Sequence, residues 1–114
     1  MSRITTHILD ISTGEPARDV MILLEQKDPA LGWQKIGDGL TNAEGRHTNL
    51  VPPNMLLVAG HYRLVFETGA YYAAQGTICF HPQIIVAFTV RDIAQHYHVP
   101  LLIGPFGYST YRGS

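Results

Sequence analysis

Apolar and polar residues alternate along much of the chain, with the period of two that is typical of β-strands. In residues 4–11 the alternation places Thr5, His7 and Leu9 on one face. A continuous apolar run at residues 20–24 is typical of a strand in a sandwich core. The pattern predicts further strands at 33–36, 61–67 and 84–90, and two more in the last nineteen residues. Seven or eight short, evenly spaced strands favour an antiparallel β-sandwich of immunoglobulin-like build.

Between the strands, the sequence predicts one short helix and several turns. The helix covers residues 68–75, with Thr68 as a possible cap and Gly76 as its end. Residues 37–46 are dense in Gly, Asn and Asp, so Arg46 is expected just after a tight turn.

The C-terminal nineteen residues concentrate polar chemistry. If residues 96–98 begin a strand, His96 and His98 share one face. A Gly/Pro turn at 104–107 then reverses the chain. On the returning segment the alternation places Arg112 and Ser114 on one side, so two imidazoles, a guanidinium and a carboxylate are expected to lie close together.

Length and composition narrow the class of protein. The chain has 114 residues, which predicts one domain over residues 1–114, with 46% hydrophobic and 15% charged residues. The net charge of −1 and the absence of a basic cluster argue against nucleic acid or an anionic membrane as a partner. A single cysteine, Cys79, and a polar N-terminus favour a cytoplasmic protein.

The residues alone leave two interpretations of the C-terminal histidines open. His96 and His98 are either solvent-facing residues of an edge strand or two ligands of a metal ion. A zinc site needs at least a third protein ligand, and the sequence has no HExxH, CxxC or GxSxG motif. Chemistry alone therefore predicts a histidine site that needs no metal or other cofactor.

Four ordered motifs give the chain a resemblance to a known family. They are Thr6-His7-Ile8-Leu9-Asp10 followed by Gly14 and Pro16-Ala17, Thr41-Asn42-Ala43-Glu44-Gly45-Arg46, the segment from Tyr62 to Tyr71, and the ending Tyr111-Arg112-Gly113-Ser114. Together they cover nearly the whole chain. In this order they resemble the transthyretin-related 5-hydroxyisourate hydrolases.

The resemblance implies a function in urate degradation. Enzymes of this family hydrolyse a ring amide of 5-hydroxyisourate and form 2-oxo-4-hydroxy-4-carboxy-5-ureidoimidazoline. It also implies a transthyretin-like sandwich, a homotetramer built as a dimer of dimers, and active sites at the dimer–dimer interface. The alternative is a non-catalytic carrier of the same fold that binds a small aromatic ligand. Such carriers lack the histidines and the Tyr-Arg-Gly-Ser ending.

The residues implied by the resemblance suit amide hydrolysis. A histidine activates water, Arg46 stabilises the developing oxyanion, and the carboxylate of Ser114 orients an imidazole. Which histidine is the base stays open. The predicted catalytic residues are His7, Arg46, His98 and Ser114. The predicted substrate-binding residues are His7, Arg46, His96, Tyr111, Arg112 and Gly113.

Overall fold

A computed structural model describes residues 3–114 and confirms a β-sandwich with one short helix. The elements in chain order are β1 (Ile4–Asp10), β2 (Glu15–Pro16), β3 (Met21–Asp28), β4 (Gly32–Leu40), β5 (Arg46–His47), β6 (Gly60–Phe66), α1 (Thr68–Ala73), β7 (Ile84–Val90), β8 (Tyr97–Ile103) and β9 (Tyr108–Thr110).

The strands form two sheets that pack face to face. The first sheet has the order β2-β1-β8-β9, with β5 paired to β1, and the second has the order β4-β3-β6-β7. One pairing departs from the predicted antiparallel arrangement, because β1 and β8 pair in parallel. Parallel strands need a long connection, and these two come from opposite ends of the sequence.

Alternation along β1 and β8 separates the core from an outer face. Ile4 and Ile8 of β1 point inward with no exposed surface, as do Leu101 and Ile103 of β8. They pack in one core cluster with apolar residues of the second sheet such as Leu64. Thr5, His7 and Leu9 alternate with the inward-facing residues of β1, as the sequence predicted.

The core also holds one carboxylate, Asp10, which has no exposed surface. It accepts hydrogen bonds from the hydroxyl groups of Ser12, Tyr71 (2.9 Å) and Tyr72 (3.1 Å). Burial acts to raise the pKa of Asp10, but these hydrogen bonds outweigh it and lower the pKa. Asp10 thereby ties the end of β1 to α1.

Strand β4 is longer than the sequence predicted. It continues to Leu40, through residues that were expected to form a turn. A Cβ atom on Gly37 would collide with the carbonyl oxygen of Leu50, and one on Gly39 would collide with the ring of His47. These glycines therefore serve close packing inside a strand. The predicted tight turn is confirmed further on, at Gly45 (φ +74°), and Arg46 follows it.

The helix begins where the sequence predicted but without the predicted cap. Glu67 occupies the N-cap position with no side-chain hydrogen bond, and Thr68 lies inside the helix, buried. The helix ends at Ala73, two residues early, and Gly76 (φ +69°) follows the last turn, as expected. In residues 3–114 the structure has no helix that is long and apolar enough to cross a membrane. The predicted cytoplasmic location stays a prediction.

Candidate active site

Three neighbouring strands of the first sheet bring the predicted site residues together. Strand β1 lies in the middle, with β8 parallel on one side and β5 antiparallel on the other. In this register Thr5 is opposite His98, and His7 is opposite Arg46. Because residues opposite each other on paired strands share a face, the register gathers these side chains at the outer face of β1.

The turn before β5 fixes the position of Arg46. The side-chain oxygen of Asn42 accepts hydrogen bonds from the backbone amides of Glu44 (2.9 Å) and Arg46 (3.0 Å). The carbonyl of Gly45 accepts one from the amide of Ile8 (2.8 Å), which attaches the turn to β1. A side chain at Gly45 would strike the Ile8 carbonyl, so only glycine allows this close approach.

A cavity of about 210 Å³ opens between β1, β5, β8 and the chain terminus. Four predicted site residues line it, from three separate parts of the sequence: Arg46, His96, His98 and Ser114. Thr5, Thr6 and Thr48 complete the lining. His7 flanks the cavity, as the next residue after Thr5 on the outer face of β1.

Thr5 connects the two histidines of the cavity, a contact that the sequence analysis missed. Its Oγ1 lies 2.8 Å from Nδ1 of His98 and 3.0 Å from Nε2 of His96. The residue is only 3% exposed. The sequence signal that could have identified Thr5 is its position two residues before His7, on the same face of the predicted strand.

The chain terminus packs directly against His98. The amide of Gly113 donates a 2.8 Å hydrogen bond to the carbonyl of His98. A Cβ atom at position 113 would lie 2.6 Å from Cδ2 of the His98 ring, closer than real contacts allow. Gly113 was predicted to bind substrate, and its observed contact is with the histidine. It also carries Ser114 to the cavity.

Tyr111 and Arg112 line a second cavity, of about 240 Å³, together with β7 residues and Tyr97. His98 lines this cavity as well as the first one. The Arg112 guanidinium lies 4.6 Å from the centre of the Tyr97 ring and donates a hydrogen bond to the Gln95 side chain (2.9 Å). Arg112 also donates a hydrogen bond to the backbone carbonyl of His96 (3.3 Å), so its guanidinium lies next to the histidine segment, and its predicted closeness to Ser114 stays a prediction. Regular strand geometry ends at Thr110, so the alternation does not continue to the terminus.

The electrostatic surroundings favour neutral imidazoles. The pKa of His98 is lowered by burial and then by the positive charges of Arg46, His96 and His7. The pKa of His7 is lowered by burial and by Arg46, with a partial offset from Glu44. A neutral imidazole can accept a proton, so both histidines are suited to act as bases near neutral pH.

The metal interpretation of His96 and His98 has a specific geometric difficulty. The ring centres are 6.4 Å apart, and one nitrogen of each ring already faces Thr5. Within residues 3–114 no group of three or more His, Cys, Asp or Glu residues is placed to hold a metal ion.

Comparison with protein-family models identifies the chain. The model of the HIUase/Transthyretin family matches residues 4–113. The chain belongs to this family. The resemblance stated from the sequence motifs is confirmed.

Individual members of the HIUase/Transthyretin family are similar over nearly the full chain. A 5-hydroxyisourate hydrolase of Salmonella dublin is 43% identical over 111 residues, which cover 97% of this chain and 80% of that protein. The solved structure of the Klebsiella pneumoniae 5-hydroxyisourate hydrolase is 39% identical with a TM-score of 0.84, covering 97% and 92% of the two chains. Sea bream transthyretin in complex with thyroxine is 35% identical with a TM-score of 0.91, covering 98% and 95%.

These similarities confirm the transthyretin-like fold and show what it leaves undecided. An enzyme and a thyroxine-bound protein of the HIUase/Transthyretin family both superpose closely on this chain. Fold therefore does not choose between catalysis and binding, and the choice depends on the residues of the site.

Proposed function

We propose that the chain hydrolyses 5-hydroxyisourate to 2-oxo-4-hydroxy-4-carboxy-5-ureidoimidazoline. The observation that carries the proposal is the cavity that Arg46, His98 and Ser114 line together. The names of the relatives support the same substrate.

The chemistry begins with water. His98 accepts a proton from a water molecule as the water oxygen attacks a ring carbonyl of the substrate, and a tetrahedral oxyanion forms. The Arg46 guanidinium donates hydrogen bonds to that oxyanion. The ring C–N bond then breaks, the departing nitrogen takes the proton back from His98, and the carbonyl carbon becomes a carboxylic acid, which releases its proton to water.

His98 suits the role of base better than His7, an alternative that the sequence left open. His98 lines the cavity and is held at two sides of its ring, whereas His7 flanks the cavity. His7 lies beside Arg46 in the strand register, which supports a proposed role in binding the substrate's carbonyl groups. Ser114 lines the same cavity, and its proposed role is to accept a hydrogen bond from a substrate N–H or from an imidazole.

The test is a spectrophotometric assay on freshly generated 5-hydroxyisourate. We expect decay far above the spontaneous rate, an equal rate after EDTA treatment, and a product one water heavier by mass spectrometry. His98→Gln should lose the activity. His61→Gln is the matched control, because His61 lies on the second sheet with Thr89 as its partner. Decay at the spontaneous rate with the unmodified chain would contradict the proposal.

A second candidate function is that of a small-ligand carrier, favoured by the similarity to thyroxine-bound sea bream transthyretin. A carrier would bind an aromatic ligand without consuming it. Calorimetry with thyroxine distinguishes the two functions: saturable binding together with no turnover of 5-hydroxyisourate would support the carrier.

The proposed assembly is a homotetramer, a dimer of dimers. Large apolar side chains of the first sheet's loops and tail are exposed, including Ile11 (61%), Phe106 (71%) and Tyr111 (61%). Strand β7 is an edge strand with Ile85 partly exposed. Edges and patches of this kind are usually covered in an assembly. Light scattering should give four chains per particle, and a stable, fully active monomer would contradict this assembly.

A further inference from the structure

The hydroxyl group of Thr5 has two imidazole partners and a single hydrogen to share between them. Its Oγ1 lies within hydrogen-bond distance of Nδ1 of His98 (2.8 Å) and Nε2 of His96 (3.0 Å). A hydroxyl donates one hydrogen bond, and a neutral imidazole carries its hydrogen on only one nitrogen. If Thr5 donates to one histidine, the nitrogen of the other must carry a hydrogen and donate to Thr5. The two histidines are therefore coupled through this oxygen.

The contacts around the His98 ring decide which nitrogen is available for chemistry. Nδ1 faces Thr5, and the Cδ2 edge packs against Gly113. Nε2 is the remaining ring nitrogen, and the His98 side chain lines both the cavity shared with Arg46 and the cavity shared with Arg112. Nε2 can accept a proton only if it carries none, and a neutral ring then carries its hydrogen on Nδ1.

The charge of Arg46 favours the same arrangement. A bare Nε2 presents a lone pair to its surroundings, whereas a protonated Nε2 presents a partly positive hydrogen. Arg46 is a permanent cation that shares a cavity with His98 and whose charge acts on this ring, so it favours the lone pair.

We propose that Thr5 is a positioning residue that holds His98 in the Nδ1–H tautomer and so keeps Nε2 free to act as the base. His98 Nδ1–H donates to Thr5 Oγ1, and the Thr5 hydroxyl donates to a bare Nε2 of His96. His96 then carries its hydrogen on Nδ1. The catalytic part of this assignment rests on the proposed function; the tautomer itself does not.

Thr5 is well suited to this task. The parallel register holds it opposite His98, and its β-branched side chain has restricted rotation. With 3% of its surface exposed, its hydroxyl is shielded from bulk water. Water therefore competes little with the two imidazoles for its hydrogen bonds.

The experiment is ¹⁵N NMR of the histidine rings in the full-length protein without substrate, above the pH at which His98 protonates. In the unmodified chain we expect the Nδ1 signal of His98 at the position of a protonated nitrogen and the Nε2 signal at that of a bare one. Thr5→Val keeps the shape of the side chain and removes the hydroxyl, so the His98 population should move towards Nε2–H. Thr5→Ser keeps the hydroxyl and should resemble the unmodified chain.

Thr41→Val is the matched control for lost stability. Thr41 is also buried, and its hydroxyl also has two partners, the Ala17 carbonyl and the Val20 amide. This variant should melt at a lower temperature while the His98 nitrogen signals stay unchanged. A change in those signals equal to that of Thr5→Val would overturn the assignment.

Kinetics give a second readout. In Thr5→Val we expect kcat to fall by about 10- to 100-fold, below the full 10²–10⁴-fold contribution of a general base because part of the population keeps the active tautomer. KM should change little, since Thr5 acts through the histidine, and Thr5→Ser should restore kcat.

The outcomes separate this inference from the proposed function. An Nε2–H tautomer of His98 in the unmodified chain, or an unchanged tautomer in Thr5→Val, overturns the role of Thr5 whatever the enzymatic result. Failure to hydrolyse 5-hydroxyisourate, with the Nδ1–H tautomer present, overturns the function alone. If Thr5→Val does not fold, the signals of the unmodified chain still decide.

Discussion

Each sheet of the sandwich carries an arginine outside the core, and the two have very different surroundings. On the second sheet, Arg63 Nε donates a 2.6 Å hydrogen bond to the Glu25 carboxylate, and the guanidinium lies 4.4 Å from the centre of the Trp33 ring. On the first sheet, Arg46 faces the cavity with His96 and His98. Its charge lowers the pKa of both His98 and His7.

The difference lies in how each charge is compensated. Three ion pairs join side chains of residues 3–114, and Arg63 belongs to one of them whereas Arg46 belongs to none. A paired and stacked arginine stabilises the sheet that bears it. An arginine placed among imidazoles stabilises the fold less but keeps its donors available for a ligand. Such locally unfavourable arrangements are typical of functional sites.

The largest loss of activity is expected from removal of the C-terminal tail. The tail lines the Arg46 cavity, whereas Arg63 contacts Glu25 and Trp33. Deletion of residues 112–114 removes Gly113 from the His98 ring and Ser114 from the cavity. We expect the initial rate to fall by about 10²–10⁴-fold, the contribution of a positioned base. The melting curve should show a stability loss of only about 1–2 kcal/mol, because little apolar area is lost.

Arg112→Ala is the control for that deletion. It removes the contact with the Tyr97 ring and the hydrogen bonds to Gln95 and the His96 carbonyl, but it keeps Gly113 and Ser114. Its rate should stay much closer to that of the unmodified chain. If the full deletion melts normally and retains the unmodified rate, the tail is a family marker without a catalytic role.

Substitution of each arginine by lysine tests the comparison directly. Arg46→Lys keeps the charge and loses the planar fork of donors, so the rate should fall by roughly 10²-fold or more, as for loss of an oxyanion donor. Arg63→Lys should lower stability by about 1 kcal/mol or less and leave the rate unchanged. Initial rates and melting temperatures on both variants are the measurements. Equal rates in the two variants would show that Arg46 contributes only a diffuse field.

A smaller loss is expected when only the orientation of His98 changes. In Gly113→Ala the new methyl group meets the His98 ring, so the ring must turn, and we expect about a 10-fold lower kcat, a part of the base's contribution. Gly107→Ala is the matched control, because a Cβ atom there meets no atom within 4 Å. Unchanged kinetics in Gly113→Ala would contradict the role of this packing.

Much of this comparison could be predicted from the sequence. The period of two predicted that Thr5 and His7 share one face of β1, and the turn-forming residues predicted that Arg46 follows a tight turn, which the structure has at Gly45. Local rules suffice for both, because each concerns residues that are neighbours in the chain.

What could not be predicted depends on contacts between distant residues. Thr5 and His98 are 93 positions apart, and only the parallel pairing of β1 with β8 brings them together. Gly37 lies in a segment whose composition is typical of a turn, yet it belongs to β4. The Leu50 backbone passes so close to it there that a Cβ atom would not fit. The contact of Arg112 with the Tyr97 ring likewise joins residues of separate strands and could not be predicted from the alternation.

The smallest effect concerns the pKa of His98, and it isolates the charge of Arg46 from its hydrogen bonds. Burial is the larger cause of the lowered pKa and Arg46 is the next, so Arg46→Gln should raise the pKa only part of the way to its ordinary value of 6.5. Arg63→Gln, on the other sheet, should not move it. The measurement is an NMR titration of the ring without substrate.

The lowered pKa of His98 also predicts how the free energy of unfolding depends on pH. Because the pKa of His98 is lower in the folded chain than in the unfolded one, the unfolded chain binds more protons between the two values. Neutral His98 therefore contributes stability that is present above pH 6.5 and is lost as the pH falls through the pKa of the folded chain. In Arg46→Gln the window between the two values is narrower, so acidification should cost less stability than in Arg63→Gln. Equal acid sensitivity in the two variants would mean that the charge of Arg46 does not contribute to the lowered pKa of His98.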